Sequence, residues 1–423
     1  AIVQVIDDWS EAKDRQDDIT AIFFDFAKAF DLVDHGVLLE KLQGLLPPWL
    51  CRWIAEYLSD RVQRVKVGEI TTEWNKVEAG VVQCSVLGPI LFILFIHDIN
   101  KYLPPECVLI KYADDILAYI LGRYLSNLPH KIADGVEKWC INNKMRLNEE
   151  KCKILHIPGK HTSSIPTASI NNKQLELVGS YKYLGVDINT ELDWSEQWVR
   201  IQKRITPVLY LLKRLKQCAF DEKILVSVYR SYILSHISYS SPAFLSVSIS
   251  TATEIQGVQS RALKIIGLTE SNALKVHGIT TVRDFIANTC VNVLKRILND
   301  PSHPITIKHT RVIQRFTKAS FQFEYTRART EAHNNSIVPW GIRLLRDGCE
   351  DLYKPVSIAK ALKKVAQKKR PATISTNQPR VLPTSSELSK CRYCGESYKV
   401  RGIKIHERSC QRKRATTTST SSN

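Results

Sequence analysis

Three aspartates interrupt apolar segments of the chain, where a charged side chain is costly unless a counter-charge neutralises it. Asp25 lies in the apolar run 20–26 (TAIFFDF), and Asp114 and Asp115 lie within the apolar segment 111–119 (KYADDILAY). A carboxylate at a strand end and a pair at a hairpin tip converge when the two strands are neighbours in one sheet. A bound divalent cation would relieve their repulsion, and carboxylate oxygens suit Mg²⁺.

Two such ions, about 3.5–4 Å apart, would activate an attacking 3′-hydroxyl and stabilise a leaving pyrophosphate. The plainer alternative is that Asp114 and Asp115 fill a turn and that Asp25 caps the following helix. Either position alone favours this alternative. Their occurrence together with the further motifs described below favours the metal site.

The segments around these aspartates predict a mixed α/β region over the first 190 residues. Apolar patterning predicts a strand over 20–26, a helix from Lys28 through Leu42, and a buried helix over 85–99 with Ser85 as its cap. Short apolar runs before and after Asp114 and Asp115 predict a hairpin. The remaining predicted elements are a strand over 61–67, a helix over 129–145 and a strand over 183–188.

The character of the chain becomes mainly helical after residue 190. Apolar side chains recur there at spacings of three and four, which is one helical stripe: Trp198, Ile201, Ile205, Val208, Leu212 and Leu215. Pro207 lies inside this stripe and is expected to kink or split the helix. Helical patterns continue to about Asn299.

The length and the charge of the chain limit which class of protein it can belong to. The chain has 423 residues, of which 44% are hydrophobic, enough for two or three domains with a sizeable core. Its formal charge of +18 is concentrated in residues 354–423, which hold 17 basic and 3 acidic residues. The body is therefore nearly neutral, and the basic tail either binds a polyanion or is simply solvated.

Cysteine usage and hydropathy indicate a protein of a reducing compartment inside the cell. The 11 cysteines are odd in number and mostly scattered, without the spacing of a disulfide framework. The longest apolar run, 86–96, is far shorter than the roughly 20 residues that a membrane span needs, so no membrane partner is expected. Because the chain begins at Ala1 and its single methionine is Met145, we expect a fragment whose N-terminal part lies upstream.

Five motifs in the first 190 residues resemble the palm motifs of reverse transcriptases from non-LTR retrotransposons. In chain order they are FFDFAKAFDLVDH at 23–35, GVVQCSVLGP at 80–89, YADD at 112–115, LNEEKCKILH at 147–156 and YLGVDI at 183–188. The resemblance implies an α+β fold, a right-hand polymerase palm followed by a helical thumb-like region. It also implies RNA-directed DNA polymerase activity with two Mg²⁺ ions, an RNA template, a DNA primer and deoxynucleoside triphosphates. Its oligomeric state stays open, and the expected place of action is the nucleus.

The resemblance assigns roles to the acidic residues and to one lysine. Asp25 and Asp114 would hold the metal ions, with Asp115 assisting. Lys151 belongs to the motif that supplies a basic residue near the pyrophosphate, where it would act as a general acid. The alternative for Lys151 is an ordinary solvent-facing lysine.

The same resemblance assigns two substrate contacts. Phe30 matches the aromatic steric gate that excludes a ribose 2′-hydroxyl, although it is also plausible as a core residue of the predicted helix. Gln83 matches the glutamine that contacts the incoming nucleotide and the template strand.

Two departures from the family pattern predict impaired catalysis. The pattern Gly-Val-Pro-Gln-Gly-Ser reads GVVQCS at 80–85, so Cys84 stands in place of glycine and Val82 in place of proline. If the backbone at Cys84 has a positive φ, a side chain there costs about 1–2 kcal/mol before any clash with substrate. In addition, only 24 residues precede Asp25, so we expect most of the fingers to be missing.

Basic residues on the predicted thumb-like helix would contact the phosphate backbone of a duplex, or would form an ordinary solvated helix face. They are Arg200, Lys203, Arg204, Lys213, Arg214 and Lys216.

A cluster of soft ligands near the C-terminus predicts a structural zinc site. Cys391, Cys394, His406 and Cys410 have the spacing C-x2-C-x11-H-x3-C, which suits tetrahedral Zn²⁺. A segment this short has no core of its own, so the metal would supply its folding energy. The basic residues around it fit a phosphate-binding module or a nuclear localisation signal.

The fold class that we predict is therefore α+β, with a polymerase palm, a helical thumb-like region and a small C-terminal zinc-binding module. The predicted regions are the reverse transcriptase palm at 1–190, helical thumb or connection at 191–300, a loosely organised region at 301–369, a linker at 370–390, the zinc finger at 391–414 and a disordered tail at 415–423. Two alternatives stay open: a catalytically decayed remnant that only binds nucleic acid, and a protein similar to intron maturases.

Overall fold

The computed structural model describes residues 1–122, 127–160, 162, 165–315, 318–323, 328–347, 388–390 and 397–399. The chain divides into two compact units, Ala1–Lys364 and Val365–Asn423. No helix among the described residues is long and apolar enough to cross a membrane.

The helices of the described residues are α1 Ile2–Arg15, α2 His35–Gln43, α3 Pro48–Leu58, α4 Leu87–Phe95, α5 Leu128–Asn142, α6 Ser195–Gln217, α7 Glu222–Tyr229, α8 Ser235–Phe244, α9 Ile249–Ile266, α10 Glu270–His277, α11 Val282–Leu298, α12 Pro304–His309, α13 Glu331–Asn334 and α14 Ile337–Asp347, with a 3₁₀ helix at His97–Tyr102 and a π-helical turn at Arg230–Leu234. The strands are β1 Asp18–Phe24, β2 Val62–Gln63, β3 Lys66–Val67, β4 Ile70–Thr71, β5 Asn75–Lys76, β6 Val108–Tyr112, β7 Asp115–Gly122, β8 Lys153–Ile157, β9 Ser169–Ile170, β10 Lys173–Gln174, β11 Glu176–Val178, β12 Ser180–Tyr183, β13 Val186–Asn189, β14 Thr310–Arg315, β15 Lys318–Phe323, β16 Leu388–Lys390 and β17 Ser397–Lys399.

A five-stranded sheet of order β11-β8-β1-β7-β6 forms the centre of the first unit. Its middle strand β1 pairs antiparallel with both β7 and β8. All seven residues of β1 are buried, as expected of an apolar run that is covered on both faces. Successive side chains of β1 point to opposite faces, so that Phe23 joins one apolar core and Phe24 the other.

Helices cover both faces of this sheet. On the face of Phe24, the core includes Trp139 of α5 together with buried side chains of α2 and α4. On the face of Phe23, Trp9 of α1 is fully buried in a larger core, which continues into helices α6 to α11. The α+β character of the first 190 residues and the helical character of the following 110 are as predicted.

The two segments that carry the aspartates fold as predicted. The apolar run 20–26 lies in β1 and its end, and β6 and β7 form the predicted hairpin. The helix predicted over 85–99 is α4 followed by the 3₁₀ helix, and the hydroxyl of Ser85 accepts a hydrogen bond of 2.8 Å from the backbone N–H of Gly88. The strand predicted over 61–67 is present only as the two-residue strands β2 and β3.

The helix predicted from Lys28 begins only at His35. Lys28 has a φ of +47°, which starts a series of turns in place of a helix. The side chain of Asp34 then caps α2 by accepting a 2.9 Å hydrogen bond from the backbone N–H of Val37. Phe30 is therefore a turn residue and not a helix residue.

The single strand predicted over 183–188 and the split that was one of two expected effects of Pro207 are not found. The strand predicted over 183–188 is a hairpin of β12 and β13, because Leu184 and Gly185 both have positive φ, at +46° and +78°, and form its two-residue turn. Pro207 does not split its helix, since α6 runs continuously over 23 residues. Its apolar stripe, including buried Ile205 and Leu212, packs into the larger core and holds the helix together across the missing N–H.

A charged cluster connects α12 to the first helix. The ammonium group of Lys308 lies 2.8 Å from Asp7, 2.7 Å from Asp8 and 2.7 Å from Glu11, and His309 lies 2.9 Å from Asp7. Both Asp7 and His309 are buried. Acidic side chains of α1 thus receive their counter-charges from residues about 300 positions away.

Candidate active site

The register of β1 and β7 places two of the three aspartates opposite each other. The last residue pair of this ladder is Phe24 with Ile116. The ladder ends there, and extending its register by one residue places Asp25, the residue after β1, opposite Asp115, the first residue of β7. The two carboxylates come from adjacent strands at the same edge of the sheet, as the sequence predicts.

The third aspartate lies in the turn of the same hairpin. Tyr112 pairs with Asp115, which leaves Ala113 and Asp114 as a two-residue turn. Ala113 has a φ of +52°, as tight hairpin turns require. The plainer interpretation of Asp114 as a turn residue therefore describes its backbone correctly, and it does not exclude a metal-binding role for the side chain.

The charges of Asp25 and Asp114 act on the third carboxylate, that of Asp115. Burial raises the pKa of Asp115, and the negative charges of Asp114 and Asp25 raise it further. Such mutual repulsion is what a divalent cation would relieve, and the oxygen donors fit Mg²⁺ in kind. Among the residues that the structure describes, however, no three His, Cys, Asp or Glu side chains are grouped closely enough to hold a metal ion together.

Asp25 is held at the end of β1 by the segment that contains Lys151. The carbonyl of Asp25 accepts a 2.7 Å hydrogen bond from the backbone N–H of Asn148, and its own N–H donates to the sulfur of Cys152 at 3.4 Å. The ammonium nitrogen of Lys151 lies 3.5 Å from a carboxylate oxygen of Asp25. Sequence reasoning missed Asn148 and Cys152, although both stand in the motif LNEEKCKILH.

Phe30 lies beside the loop that carries Gln83. Its ring stacks on buried Phe92 at a centroid distance of 4.8 Å and an angle of 23°, and it is only partly buried. Its carbonyl accepts a 2.8 Å hydrogen bond from the backbone N–H of Val81. This arrangement fixes the ring without enclosing it, so the role as steric gate stays a prediction.

The loop 80–85 places Gln83 and Cys84 at the surface. The amide of Gln83 donates a 2.6 Å hydrogen bond to the carboxylate of Asp31, a partner that the sequence did not indicate. Cys84 is exposed and has a φ of +57°. The condition for backbone strain at Cys84 is therefore met, because this left-handed conformation favours the glycine of the family pattern.

A tyrosine that sequence reasoning missed lies next to the acidic residues. Tyr181 stacks on Phe23 with ring centroids 3.9 Å apart and an angle of 17°. Phe23 is two residues before Asp25 and so points to the same face of the sheet. Burial raises the pKa of Tyr181 to about 12, and the charges of Asp25 and Asp115 contribute. The sequence offered little signal beyond its position two residues before YLGVDI.

The basic residues of α6 divide into two groups. Arg200 forms an ion pair with Asp187 of β13 and donates a 2.9 Å hydrogen bond to Gln197, so it is engaged within the fold and fits neither of the two interpretations, phosphate contact or a solvated face. The other five are exposed: Lys203, Arg204, Lys213, Arg214 and Lys216.

The four predicted zinc ligands, Cys391, Cys394, His406 and Cys410, lie outside the described residues. In the second unit, β16 pairs antiparallel with β17. These two strands come before and after Cys391 and Cys394 in the sequence.

Comparisons with known proteins agree with these motifs. Residues 3–188 match the family described as "Reverse transcriptase (RNA-dependent DNA polymerase)". The "RNA-directed DNA polymerase from mobile element jockey" of Drosophila melanogaster is 28% identical over 270 residues, which are 60% of this chain and 29% of the relative. The "Probable RNA-directed DNA polymerase from transposon BS" of the same species is 26% identical over 330 residues, 73% of this chain and 35% of the relative. The chain thus spans about a third of the length of these relatives.

Similar solved structures include telomerase from Candida tropicalis in complex with a fragment of telomeric RNA. This telomerase is 15% identical to the chain, with a TM-score of 0.39, and the match covers 72% of this chain and 51% of the telomerase chain. The sequence matches carry the identification, because the five ordered motifs all lie within the residues that match the family, and the curated relatives are named as RNA-directed DNA polymerases of mobile elements. Residues 3–188 are a reverse transcriptase domain of the kind that non-LTR retrotransposons carry.

Proposed function

We propose that this chain performs RNA-directed DNA synthesis, in which the 3′-hydroxyl of a DNA primer attacks the α-phosphorus of a deoxynucleoside triphosphate on an RNA template. The new bond joins the primer oxygen to that phosphorus, and the bond to the β-phosphate breaks with release of pyrophosphate. The observation that carries this proposal is the register of β1 and β7, which, extended by one residue, places Asp25 opposite Asp115, with Asp114 in the adjoining turn.

Asp25 and Asp114 would hold Mg²⁺, with Asp115 assisting. When bound, Mg²⁺ would lower the barrier by polarising the phosphoryl oxygens and by favouring the ionised primer hydroxyl. The raised pKa of Asp115 supports this assignment, since a cation would remove the conflict among the three charges. Because the side chains are not grouped around one point in the described residues, they would have to turn toward each other when the ion binds.

The remaining substrate contacts follow from the same site. Phe30 would select deoxyribose over ribose, Gln83 would contact the incoming nucleotide and template, and Lys151 would give a proton to the pyrophosphate. Exposed Lys203 and Arg204 of α6, with the basic residues further along that helix, would contact the duplex backbone.

The test is primer extension on an RNA template by wild type and by the Asp114→Asn variant. We expect extension by the wild type, loss of extension in the variant, and nearly unchanged RNA binding in both. The rival function is that of a decayed remnant that only binds nucleic acid, which the strained position of Cys84 favours. Absence of extension by the wild type, with RNA binding retained, would establish the remnant.

We also propose a zinc-binding module at 391–414, formed by Cys391, Cys394, His406 and Cys410, and action of the protein in the nucleus. The pairing of β16 and β17 around the first cysteine pair supports a folded module there. The test is the zinc content of the purified chain. One ion per chain is expected, and the Cys394→Ser variant should lose it; equal zinc in both would refute the assignment.

A further inference from the structure

Exposed tryptophans lie on α3 and on the chain segment after it, in company with half-buried Tyr57 and Arg61 and exposed Arg64. Helix α3 buries Cys51, Ile54 and Leu58 on one face. On another face, Trp49 and Trp53 are 64% and 48% exposed. These tryptophans are four residues apart and therefore lie on the same side of the helix.

The planar side chains of these two segments stack in two groups, one on each segment. The rings of Trp53 and Tyr57 are nearly parallel, with an angle of 12° and centroids 5.9 Å apart. The guanidinium carbon of Arg61 lies 5.7 Å from the ring centroid of Tyr57, and that of Arg64 lies 4.5 Å from the ring centroid of Trp74. We call these five residues the aromatic–arginine surface.

The segment that holds Arg64 and Trp74 is folded but has no core. Strand β2 pairs with β5 and β3 pairs with β4, yet every residue from 62 to 76 is exposed. Apolar side chains, including Val67 at 73% and Ile70 at 78%, share this exposure. A two-stranded hairpin is marginally stable by itself, and clustered apolar exposure marks a surface that binds a partner.

We propose that the aromatic–arginine surface binds single-stranded RNA. Trp53 and Trp74 are 48% and 57% exposed. Exposed indole rings stack on unpaired bases, and arginines beside them reach the phosphates of the same strand. The bases of a duplex are already stacked on each other and offer no such faces. The choice of RNA as the ligand rests on the proposed function, which requires an RNA template.

Charge limits the mode of binding. Between residues 49 and 76 the basic side chains are Arg52, Arg61, Arg64, Lys66 and Lys76, and the acidic ones are Glu56, Asp60, Glu69 and Glu73. Because these nearly cancel, stacking must supply most of the affinity. Arg61 and Arg64 would make two phosphate contacts. In a plot of the logarithm of the binding constant against the logarithm of the salt concentration, these contacts should contribute a slope of only about −1.4.

The experiment measures binding of a labelled 12-nucleotide single-stranded RNA to the full chain by fluorescence anisotropy in buffer without Mg²⁺. We expect Trp53→Leu and Trp74→Leu each to weaken binding by about tenfold, since loss of one base–aromatic stack has effects of this order. The matched control is Tyr232→Leu, which removes an aromatic ring that is 58% exposed on another part of the fold. This control should bind RNA as the wild type does.

Wild-type affinity of both tryptophan variants would overturn the proposal, as would equal affinity for single-stranded RNA and its duplex. A contrary outcome of a sedimentation experiment is that the wild type self-associates while the Trp53→Leu variant does not, with the same RNA affinity in both. That result would assign the surface to a protein partner. The Asp114→Asn variant separates this proposal from the proposed function. It should lose primer extension and keep RNA affinity, so failure of extension leaves the binding test intact.

Discussion

The ammonium nitrogen of Lys151 lies 3.5 Å from a carboxylate oxygen of Asp25, although the two residues belong to motifs more than 120 residues apart in the sequence. Because Lys151 is 66% exposed, this ion pair adds little to folding stability. The pairing therefore has more bearing on the chemistry of the site than on the fold. It holds Lys151, the proposed proton donor, beside the residue that would bind the metal.

Replacement of Lys151 by methionine should lower the rate of primer extension by about a hundredfold, since a positioned general acid contributes about 10²–10⁴. The melting temperature should not change. The control is Lys153→Met two residues later, where the lysine pairs with Glu176 at 2.6 Å, outside the acidic site. An extension rate of Lys151→Met equal to that of the wild type would leave Lys151 as a solvent-facing lysine.

Replacement of Cys84 by glycine should stabilise the fold by about 0.5–1 kcal/mol. Relief of the positive φ at this position is worth about 1–2 kcal/mol, and the greater freedom of glycine in the unfolded chain offsets about 0.5–1 kcal/mol of it. The measurement is urea unfolding, with Cys84→Ala as the control because alanine keeps the strain. Extension activity should also rise in the glycine variant alone, and equal extension by both variants would argue against crowding by the side chain.

Replacement of Phe30 by valine tests the steric gate. Because the ring is fixed by Phe92 but only partly buried, the variant should fold, and it should discriminate less between deoxy- and ribonucleotides. A contact of this size is worth about 1–3 kcal/mol, so the ratio of incorporation rates should fall by about 10–200-fold. Unchanged discrimination with a lower melting temperature would identify Phe30 as a core residue only.

The positions of the three aspartates in the fold could be predicted from the sequence because their determinants are local. A buried strand ends at Asp25, and two short apolar runs meet at Asp114 and Asp115, so strand and hairpin follow from patterning alone. The pairing of these elements came from the family resemblance. The register that places Asp25 opposite Asp115 then follows from the ladder that the structure shows.

The parts that the sequence did not predict depend on long-range contacts. The backbone of Lys28 adopts a left-handed conformation, which helix propensity does not indicate. Arg200 pairs with Asp187 because β13 lies against α6, and helical periodicity could not show that one of six similar basic residues is so engaged. Tyr181 reaches the site only through the packing of the β12–β13 hairpin on Phe23.

The contact between α1 and α12 predicts how stability depends on pH. Burial alone would raise the pKa of Asp7, but the hydrogen bond from His309 and the charge of Lys308 outweigh it, so the pKa is lower than its ordinary value of 3.8. A depressed carboxylate pKa stabilises the folded state above the unfolded value, and this stabilisation is lost as the pH falls through the folded value.

The Asp7→Asn variant should therefore be less stable than the wild type by about 3 kcal/mol at pH 7, since breaking a buried ion pair costs about 3–5 kcal/mol. Below about pH 4 the difference between the two proteins should shrink, because the carboxylate of the unfolded wild type takes up a proton there, and that of the folded wild type does so at lower pH. The measurement is urea unfolding at pH 7 and pH 3, with Asp17→Asn as the control, since Asp17 is a half-exposed acid 3.6 Å from Arg15. A stability difference that is the same at both pH values would mean that Asp7 acts through its shape and not through its charge.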